Sequence, residues 1–214
     1  MIWFSSDWHA YHKNICKGCT SWTSGSMRDF DDEETMTEKL IENINKYVKE
    51  SDDLYFLGDL SFGSIDNIWR FRKRINCKTI HFILGNHDNH IKKNKILPNC
   101  TFKELYEYYQ PWAISDNLKP QPAQDLFFTV QNYLELVIDK KTFVLSHHPF
   151  EEWYEMDRGS IHLHGHLHGN LNHSDSNMFF RRMDVGIDWK EFRPYSIDEI
   201  LDIMKNRQIK KHNS

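Results

Sequence analysis

Apolar positions along the chain fall into two regimes. In the first, short unbroken apolar runs alternate with stretches of helical period. Residues 2–6 (Ile-Trp-Phe-Ser-Ser) read as a short buried strand that ends at Asp7. Residues 36–49 read as an amphipathic helix, because Leu40, Ile41, Ile44, Tyr47 and Val48 recur at spacings that share one face. Thr35 and Glu38 form a capping box at its start, and Lys46 and Lys49 complement the dipole at its end. Residues 54–57 are a second strand, stopped by Gly58-Asp59. Ser64 caps a helix that reaches about Asn76, and residues 79–84 form a third strand, stopped by Gly85-Asn86-His87-Asp88. Strands separated by helices imply βαβ units and a parallel sheet.

The second regime starts with an irregular, Lys- and Asn-rich stretch over 89–124, punctuated by Pro98, Pro111, Pro120 and Pro122. Strand-like runs follow at 126–130, 133–138, 142–146, 160–164 and 179–185, with Asp139-Lys140-Lys141 as a hairpin turn. A last helix spans 197–206, opened by a Ser196/Glu199 capping box, with Ile197, Ile200, Leu201 and Met204 as its apolar stripe. There is no internal repeat. The pattern predicts one α/β domain over 1–206, with 89–124 as a rim or lid insertion and 207–214 as a polar tail.

Composition narrows the function classes. The chain has 214 residues, enough for one domain with a full core, and a formal net charge of −4. An aromatic share of 14% excludes low-complexity disorder. No apolar run approaches the ~20 residues of a membrane span. Mild acidity gives nucleic-acid binding no support. The start of the chain lacks the basic and apolar regions of a secretory signal, so a cytoplasmic location is expected. Cys16, Cys19, Cys77 and Cys100 form no disulfide framework, and the Cys16-x-x-Cys19 pair has no second pair at zinc-ribbon spacing, so all four read as reduced thiols. The outlier is histidine, 13 of 214 residues, the commonest metal ligand.

Five polar segments each follow an apolar run and so sit at strand C-terminal ends: Asp7-Trp8-His9, Gly58-Asp59, Gly85-Asn86-His87-Asp88, His147-His148 and Gly165-His166-Leu167-His168. In extended chain, residues i and i+2 point to one side, which would aim Asp7 with His9, and His166 with His168, at common points. Asp-x-His alone is weak, because this composition yields about one by chance. Gly-Asn-His-Asp is expected about 0.003 times and Gly-His-x-His about 0.03 times. Asp, His and Asn form a mixed oxygen–nitrogen ligand set suited to manganese, iron, zinc, cobalt or nickel. Two such ions would clamp a phosphoryl group and activate water, and a histidine outside the ligand set could protonate the leaving group.

On these residues the chain resembles the calcineurin-like metallophosphoesterase superfamily. That family's order of motifs is Asp-x-His, Gly-Asp, Gly-Asn-His-Asp/Glu, a lone His and Gly-His-x-His, and all five occur here in order between residues 7 and 168. Flanking text such as His12-Lys13-Asn14-Ile15, Ser146-His147-His148-Pro149 and Asp184-Val185-Gly186-Ile187-Asp188 resembles the small phage and bacterial members. The resemblance implies a four-layer α/β/β/α sandwich of two mixed sheets flanked by helices. It implies that Asp7, His9 and His168 hold a first metal, that Asp59 bridges, and that Asn86, His147 and His166 hold a second. It makes His87 the proton donor and a substrate contact, oriented by Asp88. A hydroxide between two divalent transition metals, manganese foremost, would attack phosphorus in line with the leaving group.

Other residues carry weaker readings. His147 rather than His148 is expected to be the ligand. His162 and His164 read as strand residues, His164 beside the site. His12, Asn14 and Arg158 are candidate substrate contacts with Asn86 and His87, as are Arg181, Arg182 and His90. Trp3, Trp69 and Trp189 read as core, whereas Trp22, Trp112 and Trp153 lie in loop-like sequence; His81, His173 and His212 read as ordinary. The expected activity is hydrolysis of a P–O ester in a small phosphodiester or nucleotide rather than a phosphoprotein. The alternative class is a metal-holding nucleotide- or partner-binding module without turnover. It calls for a damaged ligand set or a missing proton donor, and His87 is intact.

Overall fold

The parallel sheet expected in the first half forms, and its register decides where the chemistry lies. The structure is a computed structural model that describes residues 1–19, 27–92, 127–168 and 180–211. Strand β1 (Ile2–Ser5) lies between β2 (Asp53–Phe56) and β9 (Tyr195–Ser196), and β3 (Thr79–Ile83) and β4 (Thr129–Gln131) complete a five-stranded sheet, β4-β3-β2-β1-β9. β1 to β4 are parallel, and β9 is antiparallel to β1. The second sheet holds β5 (Tyr133–Ile138), β6 (Lys141–Ser146), β7 (Ile161–His164) and β8 (Arg182–Asp184) in sequence order. β5 and β6 are a hairpin, while β6, β7 and β8 are parallel. The helices are α1 (Glu33–Tyr47), α2 (Ile65–Arg72), a short α3 (Asn89–Lys92) and α4 (Ile197–Lys205).

The period-two alternation of each strand sorts its side chains between layers. Leu54 and Phe56 of β2, with Ile80 and Phe82 of β3, face a core that they share with Met36, Leu40, Ile41 and Ile44 of α1 and Ile68, Trp69 and Phe71 of α2. Phe4, Ile83, Phe143, Leu145, Ile161, Leu163 and Met183 face the other way and fill the space between the sheets, joined by Ile200 and Met204 of α4. Phe4 and Phe143 stack across that space with ring centroids 5.8 Å apart. On the far face of the second sheet, Val144 packs with Trp153 and Met156. Two mixed sheets flanked by helices therefore form, as the motif resemblance implied.

Both sheets end at one edge. Ser6 and Gly186 pair in parallel where β1 and β8 run out, which joins the two sheets at their C-terminal ends. Asp7, Asp59, Asn86, His147 and His166 all follow those ends. The crevice outside strand carboxyl ends is where α/β sheets bind ligands.

Several expectations change. α1 begins earlier than position 36, because the Asp32 carboxylate accepts from the Thr35 N–H at 2.6 Å; Thr35 is capped rather than being the cap. α2 stops at Arg72, whose buried guanidinium donates to the carbonyls of Ile75 and Lys78, each at 3.1 Å, across the turn at 73–74. Trp3 and Trp69 are core, but Trp189 is 69% exposed. Residues 207–211 of the expected tail are docked: Gln208 pairs with Phe180, and Lys210 meets the Glu151 carboxylate at 2.9 Å. Asp139 and Lys140 adopt φ of 47° and 63°, the left-handed pair of a two-residue hairpin turn. The Ser196/Glu199 capping box forms as expected. Cys16, Cys19 and Cys77 are free thiols, and burial pushes Cys16 and Cys77 up to about 11. Trp22, Cys100, Trp112, His173, His212 and residues 93–124 of the expected rim lie outside the described residues. Among the described residues no helix is long and apolar enough to cross a membrane.

His162 has a consequence for acid stability. It is fully buried against Phe150 and Trp153; its Nε2 accepts from the Phe150 N–H at 3.0 Å, and its Nδ1 faces the Val144 carbonyl at 3.0 Å. Burial, and then the His164 ring, lower it to about 3. The folded imidazole is thus neutral while the unfolded one takes a proton below its ordinary 6.5. Its stabilisation is complete above that value and is lost as pH falls towards 3, by about 1.4 kcal/mol per pH unit. Urea unfolding at successive pH values from 6 to 4 should show a shallower acid slope in His162→Phe by about that amount. Equal slopes would rule the assignment out.

Candidate metal centre

Past the strand ends the backbone does not stay extended. Asp7, His9, Asp59, His166 and His168 all have positive φ, between 48° and 72°. The expected i, i+2 convergence is therefore achieved by left-handed turns rather than by a strand's pleat. Each such turn costs a non-glycine residue on the order of 1–3 kcal/mol, and such strain clusters at functional sites. Hydrogen bonds between loops hold it in place: Asp7 N–H donates to the Gly58 carbonyl at 2.9 Å, His9 N–H to Asp59 at 3.0 Å, and Ala10 N–H to Leu60 at 3.0 Å. Gly165 allows the closest approach, since a Cβ there would strike the Ser6 hydroxyl and the Asp7 carboxylate.

The turns bring the predicted residues together. His9 Nε2 lies 3.8 Å from Asp7 Oδ1, 3.7 Å from Asp59 Oδ2 and 3.0 Å from His168 Nε2. His147 Nε2 lies 3.4 Å from Asp59 Oδ2, and Asn86 Oδ1 lies 2.8 Å from His147 Nε2 and 2.9 Å from His166 Nδ1. Among the described residues two groups have the spacing to hold an ion, Asp7–His9–His168 and Asp7–Asp59–His147. His148 is exposed, with its ring 4.3 Å from that of His166.

The donor set fits a cation. His147 Nδ1 lies 2.7 Å from the Leu57 carbonyl, an acceptor, so that nitrogen carries the proton. Nε2 then presents a lone pair to the Asn86 oxygen and the Asp59 carboxylate, which are acceptors too. His168 is built alike, with Nδ1 3.0 Å from Asp188 Oδ2 and Nε2 facing inward. Acceptors packed on acceptors are stable only with positive charge among them. Titration agrees. Burial, followed by the Asp184 carboxylate, pushes Asp7 up to about 7. Burial would lower His147, but Asp59 and Asp7 outweigh it and raise it to about 8. Burial and then the His168 ring hold His9 well below its ordinary value. Protons thus occupy the centre near neutrality, in competition with a cation.

The remaining candidates divide. His87 is exposed, with its ring 4.9 Å from Phe62 and 5.6 Å from His9, and its N–H donates to Asp59 Oδ1 at 2.8 Å. Asp88 does not orient that ring. Its buried carboxylate accepts three backbone N–H groups, from Gly85 at 2.7 Å, Asp59 at 2.9 Å and Leu60 at 3.0 Å, and so clamps two ligand loops together. His12 stacks on Phe62 beside His9, and Asn14 is exposed on the adjoining turn, Lys13–Ile15. Arg158 is not brought to the site. It pairs with Glu155, which accepts from Thr142 at the start of β6, the end opposite His147. Arg181 and Arg182 donate to the Gly159 and Phe150 carbonyls, and His90 Nε2 lies 2.6 Å from the Gly63 carbonyl. His164 is buried with Nε2 unbonded.

Four participants were not assigned from the sequence: Arg28, Phe62, Asp188 and the exposed Trp189, whose indole N–H donates to the His168 carbonyl at 3.1 Å. Asp188 lies in the flanking text already noted. Arg28, a lone arginine in polar sequence, carries no signal before the fold delivers it.

Comparison with known proteins agrees with the geometry. The chain is 25% identical to an uncharacterized protein of Methanocaldococcus jannaschii, covering 97% of this chain and 93% of that one. It is 25% identical to the Gene 66 protein of Mycobacterium phage D29, covering 96% of each. A crystal structure of a protein of unknown function from Aquifex aeolicus superposes with a TM-score of 0.60 at 21% identity, covering 95% of this chain and 98% of that one, and so shares its fold. The family model described as calcineurin-like phosphoesterase matches residues 1–170, the span that holds all five motifs, and the chain belongs to that family of metal-dependent phosphoesterases.

Proposed function

We propose that this protein hydrolyses a P–O ester of a small phosphorylated substrate at a centre of two divalent cations, manganese foremost. Asp7, His9 and His168 would hold one cation, and Asn86, His147 and His166 the other. Asp59 lies between His9 and His147 and is the bridging carboxylate. Bound there, the cations supply charge for the phosphoryl oxygens and lower the pKa of water, which makes a nucleophile available near neutral pH. The observation that supports this most is the approach of His147 Nε2 to the Asn86 oxygen at 2.8 Å, with the other ring nitrogen held by the Leu57 carbonyl, so that only a proton or a cation can hold the two atoms together.

The chain's own residues do the rest. His87 is the general acid: it is exposed to substrate, it is outside both ligand groups, and Phe62 backs its ring. It gives its proton to the leaving oxygen. The exposed indole of Trp189, pinned to the His168 carbonyl, offers a flat face to a ring-bearing leaving group, which favours a nucleotide or small phosphodiester over a phosphoprotein.

Two measurements check this. Protein stripped with chelator should melt lower than protein in manganese, and a free cation at about 100 times its Kd should add about 2.7 kcal/mol of stability. An unchanged melting curve would contradict a metal centre. In a metal-by-substrate screen with elemental analysis, Asp59→Ala should lose metal. His87→Ala should keep most of it yet lose roughly 10²–10⁴-fold in kcat, most on poor leaving groups. Equal metal loss in both variants would show the roles to be misassigned.

A further inference from the structure

The two halves of the centre are backed differently. Behind His147 stands a neutral carbonyl, that of Leu57. Behind His168 stands the Asp188 carboxylate, and both of its oxygens are taken by Arg28, with Nε at 2.7 Å and a terminal nitrogen at 3.1 Å. That guanidinium also donates to the main-chain carbonyls of Asp7 at 2.6 Å and Trp8 at 2.7 Å, and to Met36 Sδ at 3.6 Å. Its side chain is only 1% exposed. The Arg28 backbone is fixed in turn, since its N–H donates to the Ile15 carbonyl at 2.8 Å and its carbonyl accepts from Lys17 at 3.0 Å. One buried cation therefore grips the peptide that carries Asp7 and His9, and the carboxylate that orients His168.

A buried ion pair is poor filler for a core, because desolvation offsets most of its attraction. Its geometry here does something an apolar side chain could not. A carboxylate on Nδ1 fixes the tautomer of His168 and makes Nε2 a stronger donor to a cation. The bidentate guanidinium holds Asp188 in place and occupies the oxygens that would otherwise compete for the cation. We propose that Arg28 and Asp188 are positioning residues that give the Asp7–His9–His168 half of the centre its cation affinity, and that they leave the Asn86–His147–His166 half unaffected. This rests on the reading of the centre as a two-cation site.

The test is metal stoichiometry rather than turnover. Chelator-stripped protein would be titrated with manganese by calorimetry and counted by elemental analysis after gel filtration. Wild type should bind two cations. Asp188→Asn, nearly isosteric, should keep one cation at wild-type affinity and weaken the other by roughly 10–100-fold. His147→Ala should lose the cation of the other half, and Asp188→Asn with His147→Ala should keep only the weakened one, which shows that the two variants act on different halves. Arg28→Ala should behave as Asp188→Asn, and Arg28→Lys should recover part of the lost affinity. If Arg28→Ala does not fold, Asp188→Asn and Arg28→Lys decide. Two cations at unchanged affinity in Asp188→Asn, or equal weakening of both with a lower melting temperature, would overturn the inference and leave the two-cation reading standing. Fewer than two cations in wild type would overturn that reading itself.

Discussion

Crowding of hydrogen-bond acceptors is the constraint around which the rest of this molecule is arranged. His9 and His168 bring ring nitrogens to 3.0 Å, and Asn86 and His147 bring an amide oxygen and a ring nitrogen to 2.8 Å, beside the carboxylates of Asp7 and Asp59. Left alone, such groups would repel or turn away. They are kept in place by backbone that has no freedom to release them: strand ends in parallel register, left-handed turns at five of the predicted ligands, and loops hydrogen-bonded to one another. The strain and the repulsion have a common resolution, which is positive charge. Protons on Asp7 and His147 provide it in the metal-free chain, and a divalent cation provides more of it.

The supports outside the ligand shell are of different chemistry, and each suits its place. Asp88 is sealed in, so its carboxylate can bind only backbone N–H groups, and three loop amides converge on it. Leu57 offers a neutral carbonyl to His147, whereas His168 receives an ionised carboxylate balanced by Arg28. Around the mouth the groups are reachable: His87 and His166 are exposed, and Trp189 stands clear of the core it was expected to join. A rigid interior with an open rim suits a site that must hold cations tightly while substrates enter and leave.

Much of the fold was legible because it rests on short-range patterns. The run Ile2-Trp3-Phe4 could only be a buried strand, the stripe on α1 only a buried helix face, and Ser196 with Glu199 only a helix start. Errors fell where a single side chain overrode the pattern. Asp32 moved the start of α1, and Arg72 ended α2 early by folding back on two carbonyls. β9 is too short to show a period, and it exists only because β1 offers it an edge.

Residue types and their order, read along the chain, were sufficient to identify the ligand candidates and the family, because metal chemistry restricts which side chains can serve and a motif of adjacent residues is local information. Partnership across long separations is not local. That Arg28 lies behind Asp188, that Asp88 serves backbone rather than His87, and that Arg158 sits at the far end of β6 depend on how two sheets dock and where each loop turns. Those choices are made by packing and by hydrogen bonds between segments up to 160 residues apart, so only the tertiary structure could decide them.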